Sequence, residues 1–457
     1  MTSKELLLSA IQGGHTQRPA WVPFVGVHGG KLLGVSASEY LLSSDLIFKG
    51  LKKAYELYRP DGLPIVFDLQ MEAEILGCKL VWADEVPPSV VSHPLMGEGK
   101  IQELPPFSTN QGRFPVVREA AQHLQAALGN DIVLYGLLTG PFTLISHLRG
   151  SELFLDLLTH PEKTREIMAF ATEIAKQTAR FYLQNGCQVI AVVDPMTSQI
   201  SADHFNEFVT PYLNDLFSFI KLNGGLSSLF VCGDATRNLE VMCHTACDNI
   251  SVDENIPLEL LCTLARKNGK SAGGNLKLTT VLLLGKPADA MLDAIRCIDT
   301  GGNRGFILAP GCDLPYGTPE ANLQAVTHMV HDDYQRQVAR MTVTVTDMGP
   351  FDDIKIPNFR EEKAVILDVI TLDSSGCAPC LYMLDAAIKA AARINIPIEV
   401  REHKIKSREG IGYMTRMGVK NIPTVCIDGK VTFISQIPDT ETFVNAILER
   451  AKELGKV

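Results

Sequence analysis

The chain has 457 residues, 46% of them hydrophobic and 21% charged, a balance that excludes a disordered, collagen-like or coiled-coil protein. Its net charge of −10 disfavours non-specific binding to nucleic acid or to acidic lipid. No apolar run approaches the roughly 18 residues that span a bilayer. Residues 1–5 are polar and lack a signal-peptide pattern, so we expect a cytoplasmic protein.

Up to about residue 340, short apolar runs alternate with segments of helical periodicity, of which residues 153–183 and 205–222 are the clearest. Continuous apolar runs are typical of parallel strands buried on both faces. Eight strand candidates, most of them continuous apolar runs, alternate with helices and predict an α/β fold of the (β/α)8 TIM-barrel type. The alternative, a doubly wound sheet, would want a phosphate-binding glycine turn, which Gly29-Gly30 matches poorly. The predicted strands are residues 21–27, 62–68, 132–138, 188–194, 226–232, 248–253, 270–275 and 304–309.

A polar or thiol side chain stands at or just after the C-terminal end of seven of these strands. In a barrel those ends meet at one mouth, where active sites are built. Any one of them taken alone is as well explained as a turn or helix-capping residue, but the set favours a site. The residues are Asp68, Thr139, Asp194, Cys232, Asp253, Asn275 and Cys312.

Two of the eleven cysteines, Cys232 and Cys312, each follow an apolar strand and stand beside a glycine. Two thiols at one mouth could ligate zinc, form a redox pair or supply a nucleophile. Their wide separation along the chain is not a local zinc motif, so the residues alone leave these three options open. We expect most of the other cysteines to be buried as small hydrophobic side chains.

The chain also carries an ordered set of short motifs that resembles a known superfamily. Across residues 1–340 the set resembles the uroporphyrinogen decarboxylase superfamily, in particular its corrinoid (methylcobamide)-dependent methyltransferase branch, to which the Pro-Gly-Cys element points. The motifs are Glu72-Ala73-Glu74 with Gly77-Cys78, Thr139-Gly140-Pro141-Phe142-Thr143, Asp194-Pro195, Cys232-Gly233-Asp234, Ser251-Val252-Asp253, Gly274-Asn275 and Ala309-Pro310-Gly311-Cys312.

The resemblance implies a zinc site, because that branch holds zinc with a His-x-Cys pair and a distant cysteine in the Pro-Gly-Cys turn. By position the thiol ligands are Cys232 and Cys312, whereas the histidine position is Phe230. A different side chain must then complete the site, or zinc is absent. The candidates for the third ligand are His28, Glu72 and Asp194. We take Asp194, Glu72 and Asp253 as catalytic candidates and Asn275 and Thr139 as cofactor-binding candidates.

The expected reaction is methyl transfer between a small substrate and a corrinoid. Zinc would either polarise a methoxy or hydroxyl oxygen or hold an acceptor thiol as its thiolate. No corrinoid-binding Asp-x-His-x-x-Gly pattern occurs in the chain, so the corrinoid would arrive on a partner protein. The methyl donor and the methyl acceptor stay open.

Two other functions compete with methyl transfer. Porphyrinogen decarboxylation would want arginines after the first strand to bind substrate carboxylates, but residues 25–31 contain none. A non-enzymatic, redox-controlled binding protein is favoured by Phe230, which leaves the zinc site incomplete.

A connector is predicted at residues 341–363, followed by a second unit at residues 364–457. Its strand 364–371 leads into Cys377-Ala-Pro-Cys380 and a helix, and further strands are predicted at 396–404 and 425–428 before a helix capped by Asp439. The unit resembles thioredoxin-like proteins, which implies that Cys377 is the attacking thiol and that Pro423 is a cis-proline beside it. A structural or metal-binding CxxC is the alternative. Protection of the barrel thiols, reduction of a corrinoid partner and reduction of a substrate disulfide all stay open as roles.

Overall fold

The computed structural model describes residues 1–343 and 351–456. The chain divides into two compact units, Met1–Thr346 and Asp347–Val457. Each unit has a hydrophobic core of its own. The described residues of the first unit form these strands: β1 Ala20–Trp21, β2 Gly62–Pro64, β3 Leu80–Val81, β4 Ser89–Val90, β5 Val133–Thr139, β6 Val189–Val193, β7 Leu226–Val231, β8 Asn249–Val252, β9 Ser271–Leu276 and β10 Phe306–Pro310.

Eight of these strands form one parallel sheet in the order β1-β10-β9-β8-β7-β6-β5-β2, and β3 pairs with β4 as a separate antiparallel ribbon. The first and last strands pair with Ala20 opposite Ile307. The two ends of the sheet meet where the Asp61 amide donates to the Trp21 carbonyl at 2.8 Å. This order has no reversal of the kind that defines a doubly wound sheet. The predicted barrel is therefore confirmed, as a nearly closed eight-stranded one.

Helices follow the strands along the chain. The helix predicted at residues 153–183 is in fact two helices, because Pro161 begins a new one after His160; proline is favoured at a first helical position, where its missing N–H is not needed. The α-helices of the first unit's described residues are α1 Ser3–Ile11, α2 His28–Leu33, α3 Ala37–Leu41, α4 Ser44–Tyr58, α5 Met71–Ile75, α6 Phe114–Leu128, α7 Pro141–Arg149, α8 Glu152–Thr159, α9 Pro161–Gln184, α10 Ala202–His204, α11 Thr210–Leu222, α12 Leu239–His244, α13 Leu258–Lys267, α14 Pro287–Gly301, α15 Glu320–His331 and α16 Asp333–Thr342.

Aromatic rings fill the interior of the barrel. Phe230 is fully buried there, with its ring centroid 4.9 Å from that of Phe24 and 5.9 Å from that of Phe67. Cys232 and Cys312 pack against this cluster. Because successive side chains of a strand point to opposite faces, residues 230 and 232 face the same side, so the aromatic core leads directly to Cys232.

The second unit has a four-stranded sheet in the order β12-β11-β13-β14, in which β11 and β12 are parallel and the other pairs antiparallel. Its strand β14 and helix α18 are absent from the sequence-based prediction. Of the predicted connector, residues 344–350 lie outside the described residues; Ile354 and Ile356, further on, pack against the core of the second unit. The elements are β11 Val365–Thr371, α17 Ala378–Ala391, β12 Ile398–Lys404, α18 Arg408–Arg416, β13 Thr424–Ile427, β14 Lys430–Ile434 and α19 Thr440–Glu453.

As for membranes, the helices in the described part of the chain are all too short or too polar to cross a bilayer.

Candidate functional site

The two thiols predicted at the barrel mouth lie side by side. The Sγ atoms of Cys232, after β7, and Cys312, after β10, are 2.7 Å apart. Both side chains are partly exposed, whereas the other seven cysteines outside the Cys377–Cys380 pair are buried. The contact raises the pKa of the Cys232 thiol, first because Cys312 is its hydrogen-bonding neighbour and then because it is desolvated.

His28 begins α2, and both nitrogens of its buried ring are already engaged. Nδ1 lies 3.1 Å from the Tyr316 carbonyl oxygen and Nε2 lies 2.8 Å from the Tyr58 hydroxyl. Since a carbonyl only accepts, Nδ1 carries the proton and Nε2 accepts from Tyr58. Burial lowers the His28 pKa to about 4, so the ring is neutral. In this arrangement His28 has no lone pair left to offer a metal.

Asp194 follows β6 and holds the beginning of α7. Its Oδ1 accepts from the Thr143 amide at 2.7 Å and from the Thr143 hydroxyl at 2.6 Å, and its Oδ2 accepts from the Phe142 amide at 3.2 Å. Burial raises the Asp194 pKa to about 6, although these hydrogen bonds act in the opposite direction. Gly140 makes the approach possible, because a Cβ there would lie 2.3 Å from the Asp194 side chain. Asp194 therefore has a structural task.

Glu72 on α5 and a backbone carbonyl are both within hydrogen-bond distance of the Thr139 hydroxyl. Thr139 Oγ1 lies 2.8 Å from the Leu69 carbonyl oxygen and 2.9 Å from Glu72 Oε2. The hydroxyl has a single hydrogen and can donate it to only one of the two acceptors. If Glu72 is protonated, the hydroxyl donates to the Leu69 carbonyl and accepts a hydrogen bond from the Glu72 carboxyl group. Burial is the main cause that raises the Glu72 pKa, to about 7. Thr139, a candidate for cofactor binding, is thus engaged with Leu69 and Glu72.

Asp253 follows β8 and lies at the thiol pair. It accepts from the Gly233 amide, next to Cys232, and from the Asn255 amide at 2.9 Å. Burial raises the Asp253 pKa to about 7, and its charge contributes to the raised pKa of Cys232. Asn275, in β9, donates to the backbone carbonyls of Asp253 at 3.0 Å and Ile256 at 2.7 Å, which fixes the Asp253 segment.

The zinc site that the resemblance implies does not fit this arrangement. Two thiolates that share a tetrahedral zinc at about 2.3 Å lie about 3.8 Å apart, whereas these sulfurs are 2.7 Å apart. Phe230 has no donor atom, and the three candidate ligands His28, Glu72 and Asp194 are hydrogen-bonded elsewhere. Within residues 1–343 and 351–456, no three His, Cys, Asp or Glu side chains are grouped so that they could hold a metal ion.

Arg113, which precedes α6, is a buried charge that the sequence did not reveal. Its guanidinium pairs with Asp68 and, at 2.9 Å, with Glu74, and it lies 4.9 Å from the Trp82 ring. Asp68, a predicted mouth residue, is therefore occupied by an ion pair. The sequence does not indicate this ion pair, because Arg113 stands in a loop about 45 residues from Asp68 and belongs to no motif.

In the second unit, Cys377 and Cys380 form a disulfide at the beginning of α17. The Cys380 sulfur accepts from the Leu372 amide at 3.4 Å. The Ile422–Pro423 peptide bond is cis. The disulfide thus stands at a helix N-terminus, where the helix dipole favours a thiolate.

Comparisons with known proteins concern the barrel. The uroporphyrinogen decarboxylase (URO-D) family model matches residues 2–332. The methylcobamide:CoM methyltransferase MtbA of Methanosarcina acetivorans is 29% identical over 269 residues, which cover 58% of this chain and 77% of that protein. A methylated-thiol–coenzyme M methyltransferase of Methanosarcina mazei is 29% identical over 275 residues, or 60% and 72% of the two chains. A solved methyltransferase from Methanosarcina mazei shares the fold, with a TM-score of 0.68 at 23% identity over 73% of this chain and 99% of that one.

Proposed function

The chain belongs to the uroporphyrinogen decarboxylase (URO-D) family, and on that premise we propose that its barrel moves a methyl group between a small substrate and the corrinoid of a partner protein. The observation that carries the proposal is the 29% identity to a methylcobamide:CoM methyltransferase over 269 residues. We further propose that a small thiol is the acceptor, since the names of two relatives include a thiol substrate. A cytoplasmic location is part of the same proposal.

The corrinoid, when its partner protein is bound, supplies a methyl group that a nucleophile can remove. In this proposal the acceptor thiol loses its proton to Asp253, and its sulfur then attacks the methyl carbon. The bond between the methyl group and its donor breaks, and the electron pair of that bond stays with the donor. A base with a pKa of about 7 is well matched to such a proton transfer near neutral pH. No step is assigned to zinc, because its ligand set is incomplete.

Demethylation of free methylcobalamin with a panel of thiols tests this function. We expect the wild-type rate to rise as the pH passes about 7, because Asp253 accepts a proton only when it is ionised. Asp253→Asn should lower kcat by roughly 10²- to 10⁴-fold and remove that pH dependence. Asp203→Asn, at an exposed position in α10, is the matched control and should retain both. Absence of methyl transfer to every thiol tested, with a corrinoid protein also supplied, would contradict the proposal.

For the second unit we propose a thioredoxin-like dithiol module in which Cys377 is the attacking thiol. The support is the disulfide at the beginning of α17 and the four-stranded sheet in the order β12-β11-β13-β14. After reduction, a limiting amount of iodoacetamide at neutral pH should label Cys377 ahead of Cys380, since Cys380 is fully buried. Peptide mapping reads the result, and preferential labelling of Cys380 would reverse the assigned roles.

A further inference from the structure

We propose that Cys232 and Cys312 form a reversible disulfide at the barrel mouth by exchange with a disulfide of low molecular weight. Their sulfurs are 2.7 Å apart, closer than the roughly 3.5–4.0 Å of ordinary non-bonded carbon contacts. A disulfide bond requires about 2.05 Å. The pair therefore needs a small further approach to become a disulfide, whereas the sulfurs would have to separate to bind one zinc ion.

The backbone on each side of the pair is held in place. The Gly233 amide, after Cys232, donates to the Asp253 carboxylate, and the Gly311 amide, before Cys312, donates to the Leu276 carbonyl at 3.0 Å. Beneath the pair lies the packed aromatic cluster around Phe230. The two thiols are thus presented to each other by a fixed framework, so closing the bond requires little ordering of the chain.

Accessibility distinguishes this pair from the other cysteines of the barrel. Cys232 and Cys312 are partly exposed, whereas Cys78, Cys187 and Cys262 are among the buried ones. Thiol–disulfide exchange requires the attacking sulfur to reach the disulfide, so a small oxidant meets the mouth pair first.

The exchange balances without a metal or an added electron acceptor. One thiolate attacks a sulfur of the small disulfide, which releases one small thiol and leaves a mixed disulfide on the protein. The neighbouring cysteine then attacks that protein sulfur and releases the second small thiol. The two protons of the cysteines pass to the two released thiolates. The protein pair is oxidised by two electrons and the small disulfide is reduced by two.

The source of the small disulfide rests on the proposed function. If the acceptor is a small thiol, its oxidised form is a disulfide of the required class, so an oxidised acceptor pool would close the pair. The formation of the disulfide itself does not depend on that function.

The test uses the reduced full-length protein, treated with oxidised glutathione, alkylated and digested with trypsin. Cys232 and Cys312 fall in separate peptides, residues 222–237 and 305–336, each with no other cysteine. We expect a linked species of these two peptides that dithiothreitol separates. Cys312→Ser should leave Cys232 as a mixed disulfide with glutathione, whereas Cys262→Ser, at a buried site, should leave the linked species unchanged. Circular dichroism checks that the variants are folded.

Two results would overturn the inference. One is that both peptides stay separately alkylated under conditions that fully close Cys377–Cys380. The other is that the purified wild-type protein carries one zinc ion per chain that is lost in Cys232→Ser and in Cys312→Ser. Because peptide mapping needs no methyl transfer, a failure of the proposed function would leave this measurement intact.

Discussion

Phe230 stands at the position where the resemblance implies a zinc-binding histidine. Its ring packs 4.9 Å from Phe24 and 5.9 Å from Phe67, so the strand directs it into the barrel core just before Cys232. An imidazole at this position would lie on the same face of the strand as the Cys232 sulfur. Phe230 therefore leaves the two thiols of the mouth without an imidazole beside them.

We expect Phe230→His to bind about one zinc ion per chain, because the third donor would then stand beside the two thiols. The same change should cost about 1–3 kcal/mol of stability, since it buries a polar ring among aromatic ones. Metal analysis after dialysis and urea unfolding measure the two effects. Phe67→His is the matched control, with a similar cost and no gain of zinc. Equal zinc in the wild type and in Phe230→His would contradict this expectation.

The sequence predicts the pairing of Cys232 and Cys312 because both follow strands whose ends must meet in a barrel. It does not predict that His28 is saturated by Tyr58 and Tyr316, since Tyr316 is 288 residues away. The ion pair of Arg113 escapes prediction for the same reason. Side-chain partners brought together by tertiary packing leave no local pattern in a single sequence.

Among the elements, α7 has an unusual beginning, because the acceptor for its first amides comes from another strand end. Asp194 accepts three hydrogen bonds from Phe142 and Thr143. An N-terminal carboxylate also interacts favourably with the helix dipole. This places Asp194, a catalytic candidate from sequence, among the residues that position the mouth.

We expect Asp194→Asn to lower the free energy of unfolding by about 1–3 kcal/mol. The NH2 group of the asparagine would replace one carboxylate oxygen and would face a backbone N–H that has then lost its acceptor. Thr143→Val replaces a hydroxyl that donates to Asp194 and accepts from the Met196 amide at 3.2 Å, and it should cost about 1–2 kcal/mol. Urea unfolding compares the two variants with the wild type. An Asp194→Asn protein of wild-type stability that has lost its activity would instead identify Asp194 as catalytic.

Most of the eight barrel strands are predictable because a continuous apolar run indicates a strand that is buried on both faces. The two that the structure shortens most, β1 and β2, lead into irregular segments with Phe24 and Phe67, which are as apolar as a strand. In the second unit, β14 is not predicted from the sequence, and its residues are exposed or half-exposed. Exposure weakens the apolar signal of a strand without always removing it, because β12 has no buried residue and is still predicted at residues 396–404.

At the scale of the molecule, a decarboxylase of porphyrinogens must bind a substrate with many carboxylates. Residues 25–31 supply no arginine for this purpose, and Arg113 is already paired with two carboxylates. The carboxylates of Asp253 and Asp313 contribute to the raised pKa of the Cys232 thiol, and negative charge at the mouth opposes a polyanionic substrate.

We therefore expect no decarboxylation of uroporphyrinogen above the uncatalysed rate. Product analysis by liquid chromatography measures it, with an authentic uroporphyrinogen decarboxylase as the positive control. Turnover at a rate of about 1 s⁻¹ or more, which is typical of enzymes, would contradict the methyltransferase proposal and favour decarboxylation as the function.

The pairing of β1 with β10 also has a consequence for how the protein is made. Ala20 and Ile307 are partners in the sheet although about 290 residues separate them along the chain. A ribosome that adds about 5–20 residues per second completes that stretch in about 15–60 s. Throughout that time the first strand lacks its partner, and the apolar edge formed by β1 has to be kept from other chains. The barrel can therefore close only after the ribosome has synthesised β10, Phe306–Pro310.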